Sequence, residues 1–521
     1  MKKTMKQHSF ASRLKSLAVM FGIGLAFVSC ANEDVTQNPN NTDNDKNLTT
    51  FTAGDPSTRT SMESDGKFFW EAGDKIWVKD DDGTWQQSSN APTAKTASFK
   101  FKMPGKYTQS NTYKVYYPGQ SGNQDQVTIS ASQSQAEPNT TTHFGTSGDC
   151  GMADASKLSN GSFAFVLDHK AAYLLLLPRT SNTILQNCYL IGIEVNSDND
   201  ITSTYTLDPV TGELTGTGTG KRIVLTTKGS GTYANGFPLT NTATSAATNG
   251  TYVVIKPGTH TLKIRYWVKD MVTNVEGTIT KTLSSATYDQ NKYYNITANL
   301  NVKDYDGDHY YMWDAQQQYW YGYEWTKNLP AGVGQPTLNS NSSSNYAKSN
   351  TDPNNRWHNE GGGSGRFDAT QSCAGLPNIN EMTWYATYGD PRWDGDELWT
   401  TMGHLYKGGM WFKKKAYISG YNSNSAVDGS DWRTVHKFQS WSVSQTLPSA
   451  ADAGNYFYLP ALGWYYSGQL DGVGIYGNYW SSSACLNLWG INNAYGMDFY
   501  SGGITVGNGR RDYGARIGTF E

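Results

Sequence analysis

The chain has 521 residues and a net charge of −3, with 17% charged and 13% aromatic side chains. Its aromatic content argues against disorder, its low charge excludes a long coiled coil, and its weakly acidic balance does not favour nucleic-acid binding. The length predicts about two to four domains, and the 54 Gly and 34 Tyr fit a turn-rich β protein.

The first segment predicts export. It has a basic start and then an apolar stretch from Leu17 to Val28, which is shorter than the ~20 residues of a membrane-spanning helix and fits a secretory signal peptide. The stretch ends at Ser29-Cys30, and a cysteine directly after a small residue resembles the lipobox of bacterial lipoproteins. We predict a lipoprotein signal peptide over 1–29 and lipidation of Cys30. The alternative is an ordinary signal peptide with a chance cysteine.

The segment 30–48 is rich in Asn, Thr and Asp, which predicts a flexible tether. Its acidic residues Glu33 and Asp34 resemble the surface-export signal of Bacteroidetes lipoproteins. A lipid anchor with more than one acyl chain holds a protein stably at a membrane. We therefore predict a surface-exposed lipoprotein of the cell outer membrane.

Short strands and turns are predicted from Thr49 to about Val302. Alternating or apolar runs bounded by Gly, Pro and Asn indicate strands. They occur at 113–117, 163–167, 171–177, 190–195, 252–255 and 262–268. Because no amphipathic pattern of helical length occurs among them, we predict one or two β-sandwiches in this region.

Two sets of residues in this region carry a family resemblance. The first set comprises Thr58-Arg59-Thr60, Phe69-Trp70, Gly73-Asp74, Ile76 and Val78, and the second comprises Phe163 to His169 and Tyr293 to Ile296. Together they resemble the Mfa-like fimbrillin family of Bacteroidetes. The resemblance implies two β-sandwich domains, 49–160 and 161–302, and assembly into surface fimbriae.

The same resemblance implies partners and a processing site. Family members lose an N-terminal strand to a protease and accept a strand from another fimbrial subunit, and unpaired strand edges drive such strand exchange through main-chain hydrogen bonds. Arg59 is the matching cleavage candidate. The alternative is a surface arginine in a turn.

The composition changes near Lys303, since four Trp precede it and 13 follow it. We predict short helices at Asn378–Trp384, which has an Asn cap, and at Glu397–Tyr406, so the C-terminal region is predicted to be α+β. At the boundary, Asp304, Asp306 and Asp308 have a spacing that suits oxygen ligation of a cation. A solvated linker is favoured, because Ala315 stands where an EF-hand loop has its bidentate Glu, and we predict no metal.

The C-terminal region carries a second resemblance. Its motifs are Pro377 to Glu381, Gly408 to Trp411, Gly477 to Ser483, Ala494-Tyr495 and Arg510 to Arg516. They resemble the FISUMP group, which implies a C-type-lectin-like domain over 303–521. The sequence departs from the group at Ala515-Arg516, where many members have Val-Arg. Within the motifs, Trp411, Trp480 and Arg516 are predicted to be scaffold residues.

Binding is expected on residues between these motifs. Tyr, Trp and Asn dominate recognition loops because rigid aromatic rings supply contact area at low entropic cost and Asn adapts its hydrogen bonds. The predicted ligand-binding residues are Trp464, Tyr465, Tyr466, Leu486, Asn487, Leu488, Trp489, Ile491, Asn492, Asn493, Tyr500 and Asn508. The expected ligand is a host or bacterial glycan or protein.

Four cysteines remain after Cys30, namely Cys150, Cys188, Cys373 and Cys485. Their spacing does not match a CxxC metal knuckle. An exported protein can oxidise such cysteines to disulfides, and buried thiols are the alternative.

No catalytic motif is present, and His169 is predicted to be structural. We predict no enzyme activity, no cofactor and no nucleic-acid partner. The predicted function is that of a fimbrial subunit, at the tip or ancillary, that acts as an adhesin. The alternative is a non-fimbrial surface lipoprotein that binds polysaccharide.

Overall fold

The computed structural model describes most of the chain, namely residues 6–9, 47–54, 61–62, 68–305, 310–319, 321, 368–466, 468–485, 493–518 and 520–521. Cys30 and Arg59 lie outside these residues, as do Asp306 and Asp308 of the aspartate-rich boundary segment. In the described part of the chain, no helix combines the length and the apolar composition that crossing a bilayer requires.

The protein is mainly β, as the sequence predicts. It forms two compact units. Unit 1 comprises Met1–Thr180, Tyr189–Ile264 and Leu283–Asn299, and unit 2 comprises Ser181–Cys188, Arg265–Thr282 and Leu300–Glu521.

The first strands are short and follow one another closely in unit 1. They are β1 (Lys6–Ser9), β2 (Thr49–Ala53), β3 (Ser61–Met62), β4 (Phe68–Phe69), β5 (Trp77–Lys79), β6 (Trp85–Gln87), β7 (Phe99–Met103), β8 (Thr112–Tyr117), β9 (Gln126–Thr128), β10 (Ser132–Ser134), β11 (Gly151–Lys157), β12 (Phe163–Phe165) and β13 (Asp168–His169). A single helical turn, α1 (Phe144–Ser147), precedes β11.

Longer strands follow. They are β14 (Ala172–Arg179), β15 (Cys188–Ser197), β16 (Thr204–Leu207), β17 (Leu214–Thr215), β18 (Arg222–Thr226), β19 (Phe237–Pro238), β20 (Thr251–Ile255), β21 (Gly258–Asp270), β22 (Glu276–Tyr288) and β23 (Lys292–Asn299). Between them lie α2 (Ala246–Asn249) and 3₁₀ turns at Leu185–Asn187 and Gly231–Tyr233. All six strands predicted in this half of the sequence are confirmed.

Unit 1 contains several sheets. One has the order β6-β5-β8-β11-β12-β2-β7, and another has the order β1-β23-β14-β20. The first sheet covers an aromatic core in which Phe51 of β2 stacks on Phe163 of β12, with ring centroids 4.8 Å apart. Buried aromatic pairs of this kind stabilise a core beyond the area that they bury.

The structure explains the first fimbrillin-like motif. Trp70 is completely buried and packs edge-on against Tyr117. Gly73 has a φ of 88°, which permits the turn after Trp70. Asp74 is buried and accepts hydrogen bonds from the Tyr117 hydroxyl at 2.9 Å and from the Glu71 amide at 2.7 Å. The motif therefore anchors a turn on the core, because a buried carboxylate needs such partners.

His169 is structural, as predicted. It is buried in unit 1, and its Nδ1 lies 3.0 Å from Oδ1 of Asp149. The Tyr173 hydroxyl donates to the same oxygen. Burial and the Asp149 charge raise the pKa of Tyr173 well above its usual range, so this hydroxyl stays protonated and remains a donor.

The elements of the C-terminal region all belong to unit 2. They are β24 (Tyr310–Tyr311), α3 (Ile379–Thr387), β25 (Arg392–Thr401), β26 (His404–Lys413), β27 (Gln439–Trp441), β28 (Tyr456–Pro460), β29 (Trp464–Tyr466), β30 (Gln469–Asp471), β31 (Gly477–Ala484), β32 (Asn493–Tyr500), β33 (Gly503–Arg510) and β34 (Ala515–Arg516). 3₁₀ turns occupy Lys415–Tyr417 and Ala453–Asn455.

The main sheet of this region has the order β24-β34-β31-β32-β33-β27, while β25, β26 and β28 pair side by side. Helix α3 packs against β31, β32 and β33. The core between these elements includes Tyr385, Phe412 and Phe499. The region is α+β, as predicted.

Helix α3 begins where the sequence places it. Asn378 is the cap, and its side chain accepts a hydrogen bond from the Glu381 amide at 3.1 Å. The Glu381 carboxylate accepts from the Asn378 amide at 2.9 Å, which completes a capping box.

The second predicted helix, Glu397–Tyr406, is wrong. The segment forms the end of β25, a tight turn and the start of β26. Both turn residues have positive φ, 49° at Met402 and 76° at Gly403, and two such residues favour a hairpin whose twist matches its strands. Thr400 and Thr401, which are β-branched, also favour a strand.

Buried charges line β25. Asp394 accepts a hydrogen bond from Arg265 Nη2 at 3.0 Å. Glu397 accepts from the Thr280 amide at 2.9 Å and from its hydroxyl at 2.6 Å. Burial, together with the nearby charge of Asp394, raises the pKa of Glu397 to about 7. All of these residues belong to unit 2.

The cysteine question is settled for the described residues. Cys150, Cys188, Cys373 and Cys485 are all buried thiols. Burial raises the pKa of Cys188 to about 12, and a thiol that stays protonated is a poor nucleophile.

Candidate functional site

The candidate site lies on one face of the main sheet of unit 2. Strands β31, β32 and β33 are antiparallel neighbours, and their register places Asn478, Asp498 and Thr505 directly opposite one another. Because side chains alternate along a strand, Met497 and Phe499 point to the opposite face, where both are completely buried. The apolar face thus fixes the register that brings the three polar side chains into one row.

Glycines keep the sheet open beside this row. Gly496 and Gly507 lie opposite each other on β32 and β33. A Cβ atom at Gly496 would lie 2.8 Å from the Tyr479 carbonyl oxygen, and one at Gly507 would lie 3.2 Å from Cβ of Phe438. The space above them is a pocket of about 400 Å³, which is within the usual range of ligand sites.

Aromatic rings form the wall of this pocket. Trp464 on β29 contacts Tyr476 edge to face at 5.4 Å, and Tyr476 contacts Tyr500 at 5.8 Å. The turn before Tyr476 contains Gly472 with a φ of 71°, and a Cβ there would lie 2.8 Å from the Tyr476 ring. Tyr476 and Tyr500 remain substantially exposed, so their rings are accessible to a ligand.

One carboxylate lies inside the pocket. Asp498 is exposed to the solvent within it, but the protein around the pocket displaces bulk water and raises the pKa of this carboxyl to about 7. The guanidinium of Arg510, at the end of β33, does not pair with Asp498: its Nη2 donates to Asp512 Oδ2 at 2.6 Å, and it lies 5.6 Å from the Tyr513 ring.

The structure brings some of the predicted ligand-binding residues together. Trp464, Tyr500 and Asn508 all line the pocket. Tyr466 is exposed beside it and contacts Tyr513, which also lines it. Asn493 is half-buried at the start of β32, and its carbonyl accepts a hydrogen bond from Arg511.

Tyr465 requires a correction. Its side chain is completely buried, stacks on Tyr319 at 4.7 Å and contacts Tyr310 edge-on at 5.2 Å. On a short strand, its neighbours Trp464 and Tyr466 face one way and Tyr465 faces the other. Tyr465 is therefore a core residue and cannot contact a ligand.

Six predicted binding residues cannot be placed. Leu486, Asn487, Leu488, Trp489, Ile491 and Asn492 lie outside the described residues. Their role stays a prediction.

The predicted scaffold residues do pack inside the unit. Trp480 is buried, and its Nε1 donates to the Tyr311 carbonyl at 2.7 Å. Trp411 donates to Asp394 at 3.1 Å, and the buried Arg516 lies over the Tyr305 ring at 5.3 Å. Trp480 also forms part of the pocket lining.

Four lining residues, Asn478, Asp498, Thr505 and Tyr476, are not among the predicted ligand-binding residues. The sequence signal for Asp498 is its position between Met497 and Phe499. An acidic residue between two apolar residues of a strand indicates a polar site on one face of the sheet. The described residues contain no cluster of three or more His, Cys, Asp or Glu that could hold a metal ion.

No family model and no curated protein matches the chain. Among solved structures, it is similar to two proteins described as putative cell adhesion proteins. The one from Bacteroides ovatus is 13% identical, with 48% of this chain and 93% of that chain covered and a TM-score of 0.30. The one from Bacteroides uniformis is 16% identical, with 46% and 96% covered and a TM-score of 0.24.

A fimbrial protein from Bacteroides ovatus is 12% identical, with 90% of this chain and 98% of that chain covered and a TM-score of 0.25. The comparisons identify no family for this chain.

Proposed function

We propose that this protein is an adhesin of a bacterial cell surface and that unit 2 binds its ligand in the aromatic pocket on β31, β32 and β33. The observation that carries the proposal is the convergence of Trp464, Tyr500 and Asn508, all predicted to bind, around one pocket of about 400 Å³. Adhesion and fimbrial roles are also the ones that the structural neighbours carry in their names.

The pocket offers a ligand two kinds of contact, aromatic faces and hydrogen-bonding amides. The rings of Trp464, Tyr476 and Tyr500 offer apolar faces to a sugar ring or an apolar side chain. The amides of Asn478 and Asn508 supply hydrogen bonds that fix orientation. Such a site binds and releases its ligand without turnover, which is what adhesion requires.

We also propose that the protein is a fimbrial subunit, at the tip or ancillary, whose partners are other subunits that exchange strands with it. Support comes from the sheet β1-β23-β14-β20, in which residues 6–9 pair with one edge of β23. These residues belong to the predicted signal peptide. Its removal would leave that edge of β23 open, and an open edge accepts a strand from another chain.

Anchoring through Cys30 and cleavage at Arg59 complete this proposal. Together they describe a surface-exposed lipoprotein of the outer membrane that enters a fimbrium after processing. An Arg59→Ala variant tests the second step, and its N-terminus in sheared fimbriae would retain the residues before position 60. Detection of the protein only as a monomer in sheared surface material would favour the non-fimbrial alternative.

The binding role is tested with a glycan and host-protein array probed with the purified chain. Trp464→Ala and Tyr500→Ala should reduce the bound signal by about tenfold or more, since truncation of a central aromatic anchor costs about 2 kcal/mol or more and about 1.4 kcal/mol is tenfold. Tyr417→Ala is the matched control, because Tyr417 has a similar exposure of 53%, against 46% for Tyr500, and lies outside the pocket.

Binding that survives in Trp464→Ala and Tyr500→Ala would refute the pocket assignment. An equal loss in Tyr417→Ala would show a general defect of the fold. A thermal unfolding curve of each variant separates the two results.

A further inference from the structure

Asp498 is the unusual group of this pocket. Its two cross-strand neighbours, Asn478 and Thr505, are neutral. No described residue forms a hydrogen bond or an ion pair with its carboxylate. Desolvation alone raises its pKa, so no charge in the described part of the chain compensates it.

A neighbouring group is also unsatisfied. The Nδ2 atom of Asn478 is buried and has no acceptor within the described residues. Thr505 pairs its hydroxyl with Ser440 at 2.8 Å. The pocket thus holds a solvent-facing carboxylate without a counter-ion beside the buried amide nitrogen of Asn478, which has no acceptor. A buried donor of this kind needs a partner.

The wall around Asp498 favours one sign of charge. Trp464, Tyr476 and Tyr500 contact one another in a chain of rings along the pocket. Ring faces carry partial negative charge and attract cations within about 6 Å. The guanidinium of Arg510 on β33 is paired with Asp512, and no described cation forms an ion pair with Asp498 inside the pocket.

We propose that this pocket selects ligands bearing a primary ammonium group, which pairs with the Asp498 carboxylate and lies against the rings of Trp464, Tyr476 and Tyr500. The inference rests on the proposed binding function of the same pocket and specifies its ligand class. A neutral ligand would strip water from the carboxylate without supplying a charge, whereas an ammonium group replaces that water with an ion pair.

Two natural sources carry this chemistry. One is a lysine side chain of a protein, and the other is an amino sugar whose amine is not acetylated. Both place a protonated amine on an apolar or weakly polar body that fits between aromatic rings.

Binding of an amine should depend on pH. Asp498 pairs with a cation only when ionised, and its pKa of about 7 leaves it largely protonated at pH 6 in the empty pocket. A lysine amine stays protonated to about pH 10. Its apparent affinity should therefore rise about tenfold from pH 6 to pH 8, in step with the fraction of ionised Asp498.

The test is titration calorimetry of the full chain with four probes. Nα-acetyl-lysine amide and glucosamine carry the amine, and their Nε-acetylated and N-acetylated counterparts are neutral. At least one amine should bind about tenfold or more tightly than its acetylated form. Binding of the lysine probe alone assigns a protein source, and binding of glucosamine alone assigns an amino sugar.

Asp498→Asn, which keeps the shape of the side chain and removes its charge, should weaken amine binding by about tenfold or more and flatten the pH profile. Asp452→Asn makes the same change at an exposed carboxylate of unit 2 outside the pocket and should leave both unchanged. Unchanged amine binding in Asp498→Asn overturns the proposal, as does equal binding of free and acetylated probes. Absence of binding by both amines at about 10 mM also overturns it.

The array separates this proposal from the one on which it rests. A ligand whose binding is lost in Trp464→Ala but kept in Asp498→Asn would leave the pocket as the binding site and overturn its selectivity for ammonium. A ligand indifferent to both variants would overturn both proposals.

Discussion

Glu397 shows how one buried residue makes stability depend on pH. Burial first, and then the charge of Asp394, raise the pKa of Glu397 from its ordinary 4.5 to about 7. The folded chain therefore holds this proton more tightly than the unfolded chain does. The stabilising contribution is full below about pH 4.5 and is lost as the pH rises through about 7.

We expect the free energy of unfolding of the wild type to fall by about 2 kcal/mol between pH 5 and pH 8 relative to Glu397→Gln, which stays neutral throughout. Denaturant titrations at several pH values, followed by tryptophan fluorescence, measure the difference. Glu276→Gln is the matched control, since Glu276 belongs to the same unit and its carboxylate is 41% exposed. Parallel pH profiles for the wild type and Glu397→Gln would contradict the assignment.

The candidate site could be predicted only in part at the residue scale. Trp464, Tyr500 and Asn508, which line one pocket, were predicted to bind because their residue types are common in recognition surfaces. Tyr465 shares that type but is buried, because the facing of a three-residue strand cannot be read from its composition. Asp498 was missed because its importance comes from its neighbours across the sheet, and cross-strand register is set by tertiary packing.

Elements with local signals were predicted well. Helix α3 has its signal within four residues, from the Asn378 cap to Glu381, and the strands of unit 1 have alternating patterns bounded by turn residues. The β25–β26 hairpin was predicted wrongly as a helix. Its turn is Met402-Gly403, which lacks the Asn or Asp that usually precedes the glycine of a hairpin turn. The structure pairs β26 with both β25 and β28, and the pairing with β28, which is distant in the sequence, leaves no local sequence pattern.

The capping box of α3 should contribute measurably to the free energy of unfolding. Asn378→Ala should lower the free energy of unfolding by about 1 kcal/mol, because the Glu381 amide loses its acceptor. Asn378→Ser keeps a cap oxygen and should recover most of this loss. Both variants lose the hydrogen bond from Asn378 Nδ2 to the Ser423 carbonyl, 3.0 Å in the wild type, so their difference isolates the cap. Equal stability of the two would show that the cap contributes nothing.

At the scale of the whole molecule, sequence patterns do not predict which residues from distant parts of the chain come together. The pocket joins Trp464 of β29, Tyr476 of the turn before β31, Asp498 of β32 and Thr505 of β33. The sheet order β31-β32-β33 accounts only for the last two. Unit 2 also includes residues 181–188 and 265–282, which fall within the predicted second sandwich, 161–302. Those domain boundaries were implied by resemblance and stay predictions.

The proposed lipid anchor concerns the whole chain, and in that proposal it depends on the sulfur of Cys30. In the native host, Cys30→Ala should lose incorporation of an alkyne-labelled fatty acid, and the protein should move to the soluble fraction, because no acyl chain then holds it to the bilayer. Ser29→Ala keeps a small residue before the cysteine and should retain the label. Full labelling of Cys30→Ala would refute the predicted lipobox.

The four buried thiols affect both the folding of the protein and its refolding after thermal unfolding. Since the described fold contains no cysteine cross-link that must form, folding does not wait for an oxidant, and the chain can mature where oxygen is scarce. Unfolding in air exposes the four thiols, and oxygen can then oxidise them to non-native disulfides within or between chains. Heating should therefore be reversible under a reductant and irreversible without one, and the difference would disappear once the four cysteines are replaced by alanine.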